Sequence, residues 1–592
     1  MTYQLTILST TDMHAHLSLY DYFLGTEQET NGLILAGSKI KALVEENQQK
    51  ETQTVVLDNG DILQGNLIAD YAADKRPERH PVMQMMNAVG YDAMTLGNHE
   101  FNYGLDYLKS TLAQAEFPVV NCNIRTVEGD YLFNPYTVIE KTFSDGETIR
   151  VGVTGVVPEQ ILMWDDKWLH GKVVVQDMYQ TAKACAAELK KHCDVVVCLC
   201  HTGFDASLPD EDGLENQVHR ISTIDDIDAI IFGHTHQLFP SDTLTADYID
   251  GSRIHHVYAV QPASFGSHLG RIELTLKKTE NGFEVESGHS EVIELKNNTV
   301  IDPALVELNE TTHQAIFDYI NEEIGQTEHY IDSFFSQLAP SRAVEIVARS
   351  GRRAYEKLRG DIPNLISTSA PLKAGRDGAS DYVMISPGSL TIKDAISIYR
   401  FPNKLAAVKV TGKVLKEWLE WSASAFNCYS DELIVKDNQS IAPGFPSYNM
   451  DIFYELDYQI DLSVPARYNH AAVQVTDSVR IQGLTFEGRA VEPDDEFTVL
   501  TNDYRLNFTP FLKSLEGEVL DVDVRETVIE YIKEEGCDFK AAWPFRFTED
   551  GTYRMKTSRH AEDVLLGYPA RKVADAADDF IIVELNMKER NE

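Results

Sequence analysis

Six apolar runs punctuate the first half of the chain: "LTILST", "TVVLD", "YDAMTLG", "VGVTGVV", "DVVVCLC" and "DAIIFG". Each is short and bounded by turn residues, and most are rich in β-branched residues, the pattern of a buried strand. Between them, "GSKIKALVEENQQK" and "DMYQTAKACAAELKKH" carry apolar residues at helical spacing. Strands alternating with helices predict a layered α/β domain over residues 1–297. The pattern loosens through "GHSEVIELKNNTVIDPA", and "PALVELNETTHQAIFDYINEEIG" then predicts a helical connector within 298–329. From 330 to 592 a helix ("SRAVEIVARSGRRAYEKLRG") and strands such as "KLAAVKVTG" and "DEFTVLTND" predict a second, mixed α/β domain.

At 592 residues the chain is too long for one ordinary core, which agrees with two large domains. No apolar stretch approaches the ~18 residues of a membrane span. The start, "MTYQLTILSTTD", enters a strand without the basic, apolar and small-residue segments of a leader, so the expected location is cytoplasmic. The net charge of −41 disfavours long nucleic acids but leaves room for a small phosphate ester beside local cations. Nothing in the sequence points to a protein partner. Seven cysteines in a chain of this size argue against a disulfide framework. Cys198 and Cys200 alternate along an apolar run and read as buried thiols more readily than as metal ligands, because no second pair stands at zinc spacing.

Five apolar runs stop at residues with metal chemistry. "TILSTTDMHAH" ends in Asp12 and His14, "VVLDNGDILQG" in Asp61, and "MTLGNHE" in Asn98 and His99; "VVVCLCHTG" ends in His201 and "IIFGHTH" in His234 and His236. In open α/β sheets the carboxyl ends of strands are where ligands bind. Carboxylate, imidazole and amide oxygen together suit divalent Mn, Fe, Zn or Co. Seven ligands (Asp12, His14, Asp61, Asn98, His201, His234, His236) exceed the need of one ion and suit two, with Asp61 bridging from its glycine turn.

The order D-x-H, G-D, G-N-H-E, an isolated His and G-H-T-H resembles the calcineurin-like metallophosphoesterases. With its C-terminal half the chain is similar to the 5'-nucleotidase family, most of all to the 2',3'-cyclic-nucleotide 2'-phosphodiesterase/3'-nucleotidase branch. The resemblance implies a four-layer αββα metal domain, a connecting helix and a 5'-nucleotidase-type substrate domain. It also implies one metal on Asp12, His14, Asp61 and His236, and a second on Asp61, Asn98, His201 and His234.

Two such ions can polarise phosphoryl oxygens and turn a bridging water into hydroxide that attacks phosphorus. His99, beside a ligand without being one, is the candidate proton donor to the leaving ribose oxygen. In the 5'-nucleotidases of the family the segment usually reads N-H-E-F-D, and the aspartate pairs with the histidine. Here it reads N-H-E-F-N, with Asn102 in that place, as in the cyclic-phosphodiesterase branch. An amide can orient an imidazole but brings no full charge to it.

For the substrate, "APLKAGRDG" offers Lys373 and Arg376, and "IYRFPN" offers Arg400, as phosphate-facing cations. "GFPSYN" and "LTNDYRLNF" place Tyr448 and Tyr504 after a turn and a strand end, where two rings can stack on a base. The resemblance matches both tyrosines to the family's base clamp, although "RLNFTPF" replaces the usual Gly-Gly after Tyr504. The expected activity is hydrolysis of 2',3'-cyclic nucleotides, and then of the 3'-phosphate. A 5'-nucleotidase or UDP-sugar hydrolase is the alternative enzyme, and a nucleotide-sensing metal protein the alternative of another class.

Overall fold

The computed structural model describes residues 2–587 apart from 23–24, 28–29, 210, 297–298, 402, 430–432, 437, 439–443, 513–514, 544 and 550. The chain forms two compact units, Met1–Tyr319 and Ile320–Glu592.

The first unit runs through β1 (Thr2–Thr10), α1 (Leu33–Gln49), β2 (Gln53–Asp58), β3 (Ala93–Met94), β4 (Tyr136–Thr142) and β5 (Thr148–Val156). It continues with α2 (Met178–Leu189), β6 (Val195–Cys200), β7 (Ala229–Phe232), β8 (Val257–Pro262), β9 (His268–Thr279), β10 (Gly282–Glu294) and α3 (Pro303–Ile320). One sheet has the order β10-β9-β1-β2-β3, and the other contains β8-β7-β6-β5-β4. In the first, β1, β2 and β3 are parallel; in the second, β5, β6, β7 and β8 are parallel.

The two sheets share one apolar layer. Leu5, Ile7, Val55 and Leu57 of the first pack with Val197, Leu199, Ala229 and Ile231 of the second. The opposite face of β6, with Cys198 and Cys200, packs in a separate cluster against Met178, Ala182, Cys185, Ala186 and Leu189 of α2. That spacing puts the five residues on one stripe of α2. Asp177 caps the helix by accepting the Gln180 N–H at 2.9 Å. Because β6 is covered on both faces, its six residues are all buried, and each large aliphatic side chain contributes roughly 1.5–3 kcal/mol of burial. With α1 packed on β1 and β2, this is the αββα arrangement that the resemblance implies.

Two details differ in extent from the sequence pattern. The run "YDAMTLG" is a strand only at Ala93–Met94, although the Thr95 N–H still donates to the Asp58 carbonyl. The connector helix α3 belongs to the first unit for all but its last residue, with His313 and Phe317 packed on Tyr20. The Tyr22 hydroxyl and His313 Nδ1 are 2.8 Å apart.

The second unit contains α4 (Arg342–Arg359), β11 (Leu365–Ser369), β12 (Lys404–Thr411), α5 (Gly412–Ser422), β13 (Ile452–Phe453), β14 (Glu496–Asn502) and β15 (Gly517–Asp523). Its main sheet has the order β13-β11-β14-β12-β15. The core beneath it is aromatic, with Trp418 of α5 wholly buried edge-on to Phe453. No helix among the described residues is long and apolar enough to cross a membrane.

Candidate active site

The carboxyl ends of β1, β2, β3, β6 and β7 carry the seven candidate ligands, and the structure brings all seven together. Asp12, His14 and His236 form one group of converging ligand atoms, and Asp61, His201 and His234 form another. His14 Nε2 lies 3.1 Å from His236 Nε2, and Asp12 Oδ1 lies 3.4 Å from the latter. His201 Nε2 is 3.0 Å from Asp61 Oδ2, and Asn98 Oδ1 is 2.9 Å from His234 Nδ1.

The loops reach this geometry at a local backbone cost. Asp12, His14, Asp61, His234 and His236 all have left-handed φ, between 47° and 70°. Such residues cost on the order of 1 kcal/mol or more each and collect at functional sites. Glycines let the loops touch: a Cβ on Gly97 would lie 2.2 Å from Asp61 Oδ1, and one on Gly60 would lie 2.3 Å from the Gly97 nitrogen.

Three kinds of partner fix the ligands. His14 Nδ1 faces the Gln64 carbonyl at 2.8 Å and His201 Nδ1 faces that of Asn59 at 2.8 Å, so each ring donates there and turns Nε2 to the site. Glu100 is wholly buried, and its carboxylate accepts the backbone N–H groups of Asp61, Ile62, Leu63 and Gly97. It ties the β2 loop to the β3 loop. The third is the half-buried Glu215, whose Oε1 lies 2.8 Å from His234 Nε2 while Nδ1 turns to Asn98. The hydrogen bond to His234 holds the Glu215 carboxyl below its usual range.

The electrostatics ask for a cation. Burial pushes the His201 imidazole down, but the Asp61 carboxylate outweighs it and raises it to about 10. His14 is lowered to about 4, by burial first and then by His99, so it stands as a neutral donor. Asp58, beneath the site, is pushed up to about 7 by burial, with Glu100 and Asp12 adding to the rise. His201 Nε2, 3.0 Å from Asp61 Oδ2, carries the proton that a bound metal ion would displace. Buried carboxylates crowded against imidazole nitrogens are a donor set that divalent metal ions fit.

His99 lies beside these groups, converging with His14 and Asp61. Its ring centroid is 5.0 Å from that of His14, and its backbone N–H donates to Asp61 Oδ1 at 2.7 Å. Its Nδ1 is 2.7 Å from Asn102 Oδ1. The Asn102 amide then donates to the Asp165 carboxylate, at 3.0 and 3.3 Å.

In the second unit, a cavity of about 350 Å³ is lined by Arg376, Arg400, Tyr448 and Tyr504, among others. The Arg376 guanidinium sits 4.9 Å over the Tyr448 ring, and Arg400 Nη2 lies 3.4 Å from Asp377. Tyr504 is 43% exposed, with Phe508 beside it at 4.8 Å. Lys373 does not line the cavity; its carbonyl accepts the Ser333 hydroxyl. Arg505, unremarkable in the sequence, is buried against Asp451 at 3.0 Å and donates to the Tyr448 carbonyl. It holds the Tyr448 turn in place.

Residues 5–238 match the calcineurin-like phosphoesterase family, and residues 338–511 match the 5'-nucleotidase C-terminal domain. The chain is 36% identical to the 2',3'-cyclic-nucleotide 2'-phosphodiesterase/3'-nucleotidase of Salmonella typhimurium, over 85% of this chain and 81% of that protein. It belongs to the calcineurin-like phosphoesterases with a 5'-nucleotidase C-terminal domain. This phosphoesterase is also 36% identical to the trifunctional nucleotide phosphoesterase protein YfkN of Bacillus subtilis. There the match covers 90% of this chain but only 38% of YfkN. Its fold is similar to a putative 5'-nucleotidase from Staphylococcus aureus, with a TM-score of 0.66 and 23% identity over 92% of this chain and 99% of that one. Metal-dependent ester hydrolysis is therefore the chemistry of this chain.

Proposed function

We propose that this phosphoesterase opens nucleoside 2',3'-cyclic phosphates at the 2' ester and then removes the remaining 3'-phosphate. The observation that carries the reading is the pairing of a complete ligand set with His99 held by an asparagine, in a chain 36% identical to an enzyme named for that activity.

Asp12, His14, Asp61 and His236 would hold one divalent ion, and Asp61, Asn98, His201 and His234 a second. Mn, Zn, Co and Fe all suit the donors. Bound there, the ions supply Lewis-acid polarisation of the phosphoryl group and a water nucleophile at neutral pH. The protein's own part is orientation and proton transfer. His99, fixed through Nδ1, keeps Nε2 for the departing ribose oxygen, which must leave with a proton. Tyr448 and Tyr504 supply stacking faces for the base, worth roughly 1–3 kcal/mol each. Arg376 and Arg400 supply cations at the same cavity.

The test is phosphate and nucleoside release with Mn²⁺ from 2',3'-cyclic AMP, 3'-AMP, 5'-AMP and a UDP-sugar. The cyclic and 3' substrates are expected to be cleaved. Asn98→Ala should abolish turnover, and His99→Ala should lower it roughly 10²- to 10⁴-fold. Preference for 5'-AMP or the UDP-sugar would overturn the branch. Binding of all four without turnover would make the protein a sensor.

A further inference from the structure

Asp165 stands between two single-turn helices, Ile161–Trp164 and Asp166–Leu169. Three side chains of this segment touch the site. The Trp164 ring stacks on His234 at 5.7 Å and 24°. The Trp168 indole N–H donates to the Asn102 carbonyl at 2.9 Å, and its ring fills the space that a Cβ on Gly104 would need. Asp165, 6% exposed, takes the Asn102 amide N–H.

An asparagine side chain has a carbonyl at one end of its amide and an NH₂ at the other, nearly equal in shape. Facing an imidazole alone, it can present either. With the oxygen toward Nδ1, that nitrogen must carry the hydrogen, and Nε2 is left to exchange a proton with the substrate. With the NH₂ toward Nδ1, that nitrogen must accept, and a doubly protonated ring is excluded. A carboxylate decides between these, because an ionised Asp is acceptor-only and turns the NH₂ to itself. We propose that Asp165 is a positioning residue for catalysis: through Asn102 it sets the hydrogen-bond direction at His99 and so reserves His99 Nε2 for the leaving oxygen. The dyad carboxylate absent at position 102 is present one link further out, on the segment that Trp164 and Trp168 hold against the loop. The inference rests on the reading of His99 as the proton donor.

The experiment is a double-mutant cycle of Asp165→Asn and Asn102→Asp, with bound Mn²⁺ and the circular dichroism melt measured for every variant. Asp165→Asn frees the amide and is expected to lower kcat roughly 10- to 100-fold, with KM little changed. Asn102→Asp alone sets two carboxylates face to face and should also be slow. The double variant exchanges the two groups and restores a one-directional chain. The amide at position 165 then donates to the carboxylate at position 102, which accepts from His99, and most of the loss should be recovered. The fall in Asp165→Asn should be larger on 3'-AMP and glycerol 2-phosphate, whose alkoxides need a proton, than on an aryl phosphate, whose phenolate does not. Glycerol 2-phosphate keeps the cycle readable if nucleotides prove not to be substrates, so the two readings fail separately. An unchanged kcat in Asp165→Asn, equal losses on alkyl and aryl esters, or a double variant no better than the single would overturn the assignment. A loss that tracks lost metal or a lowered melt would do so too, because Asp165 would then be structural.

Discussion

On the proposed reading, His234 shows how a single side chain is prepared for a metal. Its two nitrogens face different partners, Asn98 Oδ1 on one side and the Glu215 carboxylate on the other. A carboxylate behind a ligating imidazole orients the ring and raises its basicity, and losing one typically costs 10- to 100-fold in metal affinity or activity. Glu215→Gln should therefore weaken Mn²⁺ binding by roughly that factor in calorimetric titration of the metal-free protein. Unchanged affinity would reduce Glu215 to a loop residue. Chemistry-bearing types at strand ends made the seven converging side chains legible in the sequence, and Asn102 could be read as the partner of His99 from their spacing. Glu215 and Asp165 could not. Each meets its partner across many residues of chain (19 and 63 positions away), so no local spacing betrays them. Glu100 was visible as a residue type, but a carboxylate that serves only backbone N–H groups leaves no pattern.

At the scale of elements, the site depends on loops that meet over glycine. The runs ending at Thr10, Asp58, Met94, Cys200 and Phe232 are five strands from two sheets, and parallel pairing within each sheet aligns their carboxyl ends. Apolar periodicity sufficed to place them, because strands buried on both faces read as near-continuous hydrophobic runs. The shortness of β3 was not legible. Its continuation pairs irregularly so that Gly97 can approach Asp61, which is a tertiary requirement. Gly97→Ala tests that approach: the new methyl would fall 2.2 Å from Asp61 Oδ1 and 2.6 Å from His201 Cε1. The expected outcome is a folded protein whose circular dichroism is intact but whose metal affinity is lower by roughly 10- to 100-fold. Full affinity would mean that the two loops can separate without disturbing Asp61.

For the whole molecule, the proposed function gives the two units different ligands. The candidate metal ligands all lie within Met1–Tyr319, and the aromatic cavity lies within Ile320–Glu592. Each unit has its own core, one between paired sheets and one around Trp418. A ligand that binds only the folded form stabilises what it binds, by about 2.7 kcal/mol when present at a hundred times its dissociation constant. Metal should thus protect one set of amides, and a nucleoside another. In hydrogen exchange followed by mass spectrometry, removing metal with a chelator should speed exchange in β1, β2, β6 and β7 and leave α4, β11 and β14 unchanged. Adenosine should slow exchange around Tyr448 and β14 and leave the metal-bearing strands unchanged. If chelation loosened both sets alike, the units would share one folding transition, and the metal site would support the substrate pocket energetically. Separate responses would mean that affinity for the base can be altered at Tyr448 and Tyr504 without cost to the metal site.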